Sequence, residues 1–240
     1  MTLRRHPIVV LAHKELSTFL NTPATYVIFV LFLVLMGWFY ASPLFSIGQS
    51  SLDTFLKPLP LILTFLIPAL TMRSFAEEFK GGTMEYLSTL PLRDYEIVIG
   101  KYVAVMGLLI ILLAFTLAYP LTLLLVGRPD PGQLIGGYIA AFSLGALFAA
   151  IGLWASSLTR NQVVAFIIGF FVCFILYLVD RAADFMPGIL SETLRWASVN
   201  THYDAFSRGV LDSRDVLYWA SGIVFFLMAA LSVVHSKRWK

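Results

Sequence analysis

The sequence predicts an all-α integral membrane protein with six transmembrane helices. An amphipathic helix lies ahead of them, a helical hairpin sits on one side of the membrane, and short helices lie at the opposite surface. Three observations carry this. Only 13% of the 240 residues are charged, about half the share of an average soluble domain. The charges are clustered: none falls between Glu15 and Asp53 or within 102–127, 131–159 and 161–179, and 216–236 carries only the titratable His235. Each of these five windows has about the 20 apolar residues that cross a hydrocarbon core.

Residues 7–21 read as the amphipathic helix. Ile8, Leu11, Ala12, Leu16, Phe19 and Leu20 share one face, and His13, Lys14, Ser17 and Asn21 the other. Such a helix lies in the membrane plane or packs on the inner surface of its own protein; the periodicity favours the first. Asn21-Thr22-Pro23 reads as the next helix start. The spans fall near 22–41, 54–72, 98–126, 133–157, 162–180 and 216–235. The second extends back to Thr54 because Asp53 and Lys57, four apart, can pair and Lys57 can snorkel. It holds Pro58, Pro60 and Pro68, whose kinks make either a moving, pathway-lining helix or a static bend. The third exceeds one bilayer thickness, so it tilts or runs into water. The fourth carries small residues at Gly137, Ala141, Gly145 and Ala149 on one face, which lets another helix approach closely, within the protomer or across a dimer.

Six spans place both termini on one side. That side holds eleven Lys and Arg residues and the other six, so the termini are expected in the cytoplasm. No cleavable signal peptide is expected, because the first apolar run is too long and has no cleavage pattern. The net charge of +3 is small and gives no reason to expect nucleic acid. Cys173 is the only cysteine, which excludes an internal disulfide framework.

Catalytic patterns are missing. His6, His13, His202 and His235 have no metal spacing, there is no HExxH or GxSxG, and the lone Gly100-Lys101 is not a phosphate loop. No charge is expected deep in a span, which weakens a proton- or ion-driven pump. The polar residues at depth, Thr64, Thr116, Tyr119, Thr122 and Ser143, read as helix-to-helix hydrogen bonds. The chain is therefore not expected to be an enzyme, to hold a metal or to bind a nucleotide. It reads as a membrane protein whose engine is elsewhere.

Residues 73–101 show where an engine would attach. This stretch holds nine of the chain's 31 acidic and basic residues. As a helix, 72–80 puts Met72, Phe75, Ala76 and Phe79 on one face and Arg73, Glu77 and Lys80 opposite, with Arg73 and Glu77 spaced to pair. Gly81-Gly82 breaks it, Thr83 caps a second short helix that Pro91 ends, and Asp94 precedes a third. The result is a hairpin of 73–95 with one apolar and one charged face, suited to docking a cytoplasmic partner. On the outer side, 181–215 is too short, at about 35 residues, for a domain with its own core. Leu190, Leu194 and Trp196, with Asp204 and Arg208 spaced as an i,i+4 pair, indicate short helices lying at the surface.

The runs Met72-Arg73-Ser74-Phe75-Ala76-Glu77-Glu78, Gly82-Thr83-Met84-Glu85-Tyr86-Leu87, Pro91-Leu92 and Ile99-Gly100-Lys101-Tyr102 resemble the signature of type-2 ABC exporter permeases. The segment from His202 through Asp204, Arg208 and Asp212 to Tyr218 is similar to the outer part of the gliding-motility-associated subgroup. The copper-maturation permeases share much of the first motif and match less elsewhere. The resemblance implies a permease that pairs with an identical or related second permease, one with a large periplasmic part in that subgroup, and binds two copies of an ABC ATPase. ATP and Mg²⁺ then belong to the ATPase, and this chain holds no cofactor. It implies ATPase coupling by Arg73, Glu77, Glu78, Phe79, Lys80, Gly82, Thr83 and Glu85, re-entrant helices over 189–210, and residence in the bacterial inner membrane. Nearly charge-free spans favour a lipid-like cargo or none. The alternatives are a non-transporting anchor that passes ATPase-driven force to an envelope machine and, far behind, an intramembrane enzyme. Reversing Glu78 or Glu85 to Lys is expected to uncouple hydrolysis from transport.

Overall fold

The computed structural model describes residues 7–47, 52–84, 92–126, 130–210 and 212–238. The described residues form twelve helices: α1 (Pro7–Leu20), α2 (Pro23–Ile47), α3 (Leu52–Leu56), α4 (Leu59–Thr71), α5 (Ala76–Gly81), α6 (Asp94–Thr116), α7 (Ala118–Val126), α8 (Pro131–Leu158), α9 (Gln162–Ala183), α10 (Ile189–Ala197), α11 (Val199–Ser207) and α12 (Ser213–Arg238). There is no strand among them. Among the described residues six helical segments are long and apolar enough to cross a membrane: Pro23–Ser42, Leu52–Gly81, Asp94–Leu123, Pro131–Leu158, Gln162–Ala183 and Ser213–Lys237. The protein is an all-α, multi-pass membrane protein.

Prolines divide the second and third segments. Pro58 and Pro60 separate α3 from α4, with Pro60 in the first turn, where its missing N–H costs nothing. Pro68 lies inside α4 and withholds a donor from the Thr64 carbonyl. Pro120 does the same to the Thr116 carbonyl; α6 ends there, Leu117 N–H turns back to the Ala114 carbonyl at 3.2 Å, and α7 resumes. The long third span is therefore two helices rather than the single run that hydropathy suggests.

The central element is α8, packed against α4, α6, α9, α11 and α12. Most of α4 and α8 is buried, whereas most of α2, α9 and α12 faces outward. Val27, Val30 and Trp38 of α2, Phe171 and Ile175 of α9, and Leu217, Phe225 and Met228 of α12 are exposed apolar side chains, as a lipid-facing surface requires. In lipid, apolar burial drives helix association weakly, so close packing must hold the bundle. The small residues of α8 provide it. A Cβ on Gly137 would strike Leu56, one on Gly145 would come 2.5 Å from a Leu109 methyl, and one on Gly152 would strike Thr71. The ladder thus meets helices of its own chain.

Gly136 has no such freedom. A Cβ there would overlap the Phe206 carbonyl oxygen and stand 2.9 Å from Gly209 Cα, and Gly209 itself sits at φ +81°. Backbone cannot rotate away as a leucine tip can. Gly136→Ala is therefore expected to destabilise the solubilised protein by about 3 kcal/mol, and Gly145→Ala by about 1 kcal/mol. Paired thermal unfolding curves check this, and equal losses would refute the distinction.

The bundle has two ends. The near end gathers α1, the α4–α5 junction, the start of α6 and the end of α12 into a second apolar cluster, which includes Leu11, Phe75, Met84, Val98, Leu153 and Val234. The far end is closed by α3, α10 and α11, where Tyr203 Oη donates to the Leu56 carbonyl at 2.8 Å.

Candidate functional site

At the near end the helix does not run unbroken through 72–80. Thr71 Oγ donates back to the Ile67 carbonyl at 2.9 Å, and Ser74 N–H closes a tight turn on the Thr71 carbonyl at 3.0 Å. Phe75 then takes φ −114°, ψ −34°, and α5 starts at Ala76. Arg73 and Glu77 form no ion pair, although the Glu77 N–H still bonds to the Arg73 carbonyl at 3.2 Å. The helix stops at Gly82, which adopts the left-handed φ of 69° that glycine tolerates. Thr83 Oγ donates to the Glu78 carbonyl at 3.5 Å, a weak cap on α5 itself. Glu85, and with it most of the second hairpin helix, lies outside the described residues.

One face of α5 turns inward. Phe75 is fully buried and Phe79 stacks on it with centroids 6.2 Å apart. Lys237, from the end of α12, sits 4.4 Å from the Phe79 ring and donates to the Ser157 carbonyl of α8 at 2.7 Å. Glu77, Lys80 and Gly82 face outward.

The centre of the site is Lys101. Its side chain is 1% exposed, and Nζ lies 2.7 Å from Glu78 Oε1 and 3.1 Å from Glu15 Oε2. The Phe75 ring centroid is 5.3 Å away. One buried ammonium thus ties α1, α5 and α6 together. Two carboxylates share it, and Lys14 Nζ stands 3.8 Å from Glu15 Oε1 at the exposed edge of the cluster. Glu78 Oε2 and the Ser74 hydroxyl are both buried without a protein hydrogen-bond partner. Beside them a cavity of about 480 Å³ opens between α1, α2 and the α4–α5 turn, with Lys14, Thr18, Thr25 and Arg73 among its lining residues. A final tie links Asp94 Oδ2 at the start of α6 to His235 Nδ1 of α12, 2.8 Å apart.

Sequence reasoning misses Glu15 and gives Lys101 no role of its own. The signal was present. Glu15 lies on the apolar stripe of α1, four residues from both Leu11 and Phe19, where a solvated acid does not belong. Lys101 is a charge within a span, and such a charge needs a partner.

The far end holds a second polar constellation. His202 Nδ1 lies 2.5 Å from Asp215 Oδ1, and Nε2 lies 2.8 Å from the Trp196 carbonyl. Tyr218 stacks on the imidazole at 4.0 Å and donates to the Ala197 carbonyl at 2.8 Å. The cluster joins α10, α11 and α12. Asp215 and Tyr218 are the partners that sequence leaves unassigned. Asp204 and Arg208 form no ion pair, although the Arg208 N–H, just past the end of α11, still bonds to the Asp204 carbonyl at 3.2 Å. Burial therefore raises the Asp204 carboxyl above its usual range, and Arg208 only partly offsets this. Asp212 is exposed and held below the usual carboxylate range, chiefly by the Arg214 backbone N–H, which it accepts at 3.0 Å. Asp204 and Arg208 line a cavity of about 330 Å³ with Asp53, Lys57, Asp130 and Gln133. Gln133 bonds to Asp53, which also pairs with Lys57 at 3.3 Å. Among the described residues no group of His, Cys, Asp and Glu could hold a metal ion.

Comparison with curated proteins finds no match. The family described as ABC-2 family transporter protein matches residues 9–234. That interval runs from α1 to near the end of α12 and includes the Lys101 cluster, the ladder on α8 and the His202 cluster. The chain belongs to the ABC-2 family of transporter proteins, as an ABC permease subunit.

Proposed function

We propose that this permease is driven by a separate ABC ATPase that docks on the hairpin beginning at α5, and that it exports or extracts its cargo from the membrane. The observation that carries the reading is the build of α5. Its outer face offers Glu77, Lys80 and Gly82, while its inner face is clamped by Lys101 to α1 and α6 and by Lys237 to α12. A push on the exposed face would move three other helices with it. Coupling of this kind needs a differential interaction in two states, and a clamped lever supplies the mechanical link. Arg73, Phe79, Gly82, Thr83 and Glu85 belong to the same docking hairpin. Glu78, facing inward, braces it.

Under this reading both termini are cytoplasmic, the membrane is the bacterial inner membrane, two ATPase copies hold ATP and Mg²⁺, and a second permease, identical or related, completes the pathway. Nearly charge-free spans support a lipid-like cargo. The His202–Tyr218 pattern supports the gliding-motility-associated branch of the family.

The test is purification from native membranes through a C-terminal tag. A stoichiometric P-loop ATPase is expected, and any second permease identifies the assembly. The charge reversals Glu77→Lys and Lys80→Glu together are expected to reduce the recovered ATPase about tenfold or more, because like-charge contacts at an interface cost several kcal/mol. The amount of permease in the membrane stays unchanged. Undiminished recovery would place the dock elsewhere.

A further inference from the structure

We infer that the cavity beside Lys101 is a binding site for a phospholipid headgroup bearing a primary ammonium, of the ethanolamine class. The inference concerns the permease alone and needs no ATPase. The floor of the cavity is acidic and unsatisfied. Glu78 Oε2 has no partner, and neither does the hydroxyl of Ser74, which is only 4% exposed; both residues line the cavity. They are four residues apart across the turn into α5. A buried carboxylate oxygen and a buried hydroxyl without donors are costly, and the second acid of the Glu15–Lys101–Glu78 cluster is offset only by the exposed Lys14, 3.8 Å from Glu15. A primary ammonium brings three N–H donors and a positive charge to the unpartnered Glu78 oxygen.

The mouth has the opposite character. Lys14, 62% exposed at its side chain, and Arg73, half-buried, stand there as phosphate donors, with Glu77 on the outer rim. The walls supply the acyl environment. Phe19, Ile28 and Leu70 line the cavity, and Tyr26, Val27 and Val30 of α2 beside it are exposed apolar surface. Val9 and Val10 of α1 are more than half exposed, apolar surface that suits a helix lying at the membrane interface. An ammonium at the floor, a phosphate at the mouth and chains along α2 follow the order of an aminophospholipid. Choline fails at the floor because its nitrogen has no N–H. Glycerol fails because it has no charge, and serine because its carboxylate would face Glu78.

The full-length protein is exchanged from detergent into mixed vesicles of phosphatidylethanolamine with phosphatidylcholine or with phosphatidylglycerol, then extracted and weighed by native mass spectrometry. One phosphatidylethanolamine per chain is expected to be retained, at about tenfold preference over either competitor. Ser74→Val is expected to lower that preference, and Lys14→Gln, independently, to lower the amount of phosphatidylethanolamine retained, each about three- to tenfold, the range for one lost hydrogen bond or charged contact. Lys14 is exposed, so its variant tests the site even if Ser74→Val folds poorly. Equal retention of all three lipids, preference for the anionic lipid, or an unchanged preference in Ser74→Val together with unchanged retention in Lys14→Gln would each overturn the proposal. So would a carbodiimide cross-link from Glu78 to a lysine of a co-purified protein, which would assign the ammonium to a protein partner.

Discussion

Replacing Lys101 by methionine is expected to destabilise the solubilised protein by about 3–5 kcal/mol, the usual result of leaving buried charge uncompensated. Methionine matches the length of the lysine stem and removes only the charge and its donors. Glu15 and Glu78 then face each other with no cation between them, in a site where Lys101 was 1% exposed at its side chain and 2.7 and 3.1 Å from their oxygens. The cation over Phe75 is lost as well. A triple variant, Lys101→Met with Glu15→Gln and Glu78→Gln, should recover much of the loss, because neutral polar groups pay less desolvation than ions. Thermal unfolding of the three proteins in one detergent reads both steps. A loss below about 1 kcal/mol in the single variant would mean that the cluster behaves as an exposed ion pair, and the lever described for α5 would lose its anchor. Glu78→Lys belongs to this prediction too: it places two ammonium groups in one buried site, so it tests stability before it tests coupling.

The parts of this molecule legible in the sequence are those set by one-dimensional pattern. Six charge-poor windows become six crossing segments, because crossing a hydrocarbon core constrains length and polarity and little else. The break at Gly81-Gly82 is legible because a left-handed cap favours glycine. Two features were not legible. Proline positions announce bends, but whether α6 stops at Thr116 depends on which carbonyl loses its donor and what repairs it. The Lys101 cluster joins residues 15, 78 and 101, which only the packing of α1 along α6 brings together. The i,i+4 spacing does not by itself make a pair: Glu77 N–H keeps its bond to the Arg73 carbonyl and Arg208 N–H its bond to the Asp204 carbonyl, both at 3.2 Å, yet neither side-chain pair forms. The same spacing succeeds at Asp53 and Lys57, which pair at 3.3 Å.

At the far end, His202→Phe is expected to destabilise the protein by about 3 kcal/mol, in the range for stranding a buried carboxylate and a carbonyl. Phenylalanine can keep the stacking on Tyr218, now at 4.0 Å, so the loss isolates the ring nitrogens. Asp215 is 8% exposed and has His202 as its side-chain partner, and the Trp196 carbonyl loses its donor at the same time. The contacts cross three elements, so the damage should be local in form: α10 and α11 loosen from the start of α12 while the near end keeps its packing. Hydrogen exchange separates these regions, since local opening raises exchange only where protection is lost. Faster exchange is expected in 189–207 and 213–219, with 94–112 unchanged. His202→Phe combined with Asp215→Leu removes both partners and should recover part of the stability, because a missing pair is cheaper than a half-pair. If exchange instead rises evenly along the chain, the His202 cluster is not a separate clasp on the far-end helices but one more contact in a single cooperative bundle.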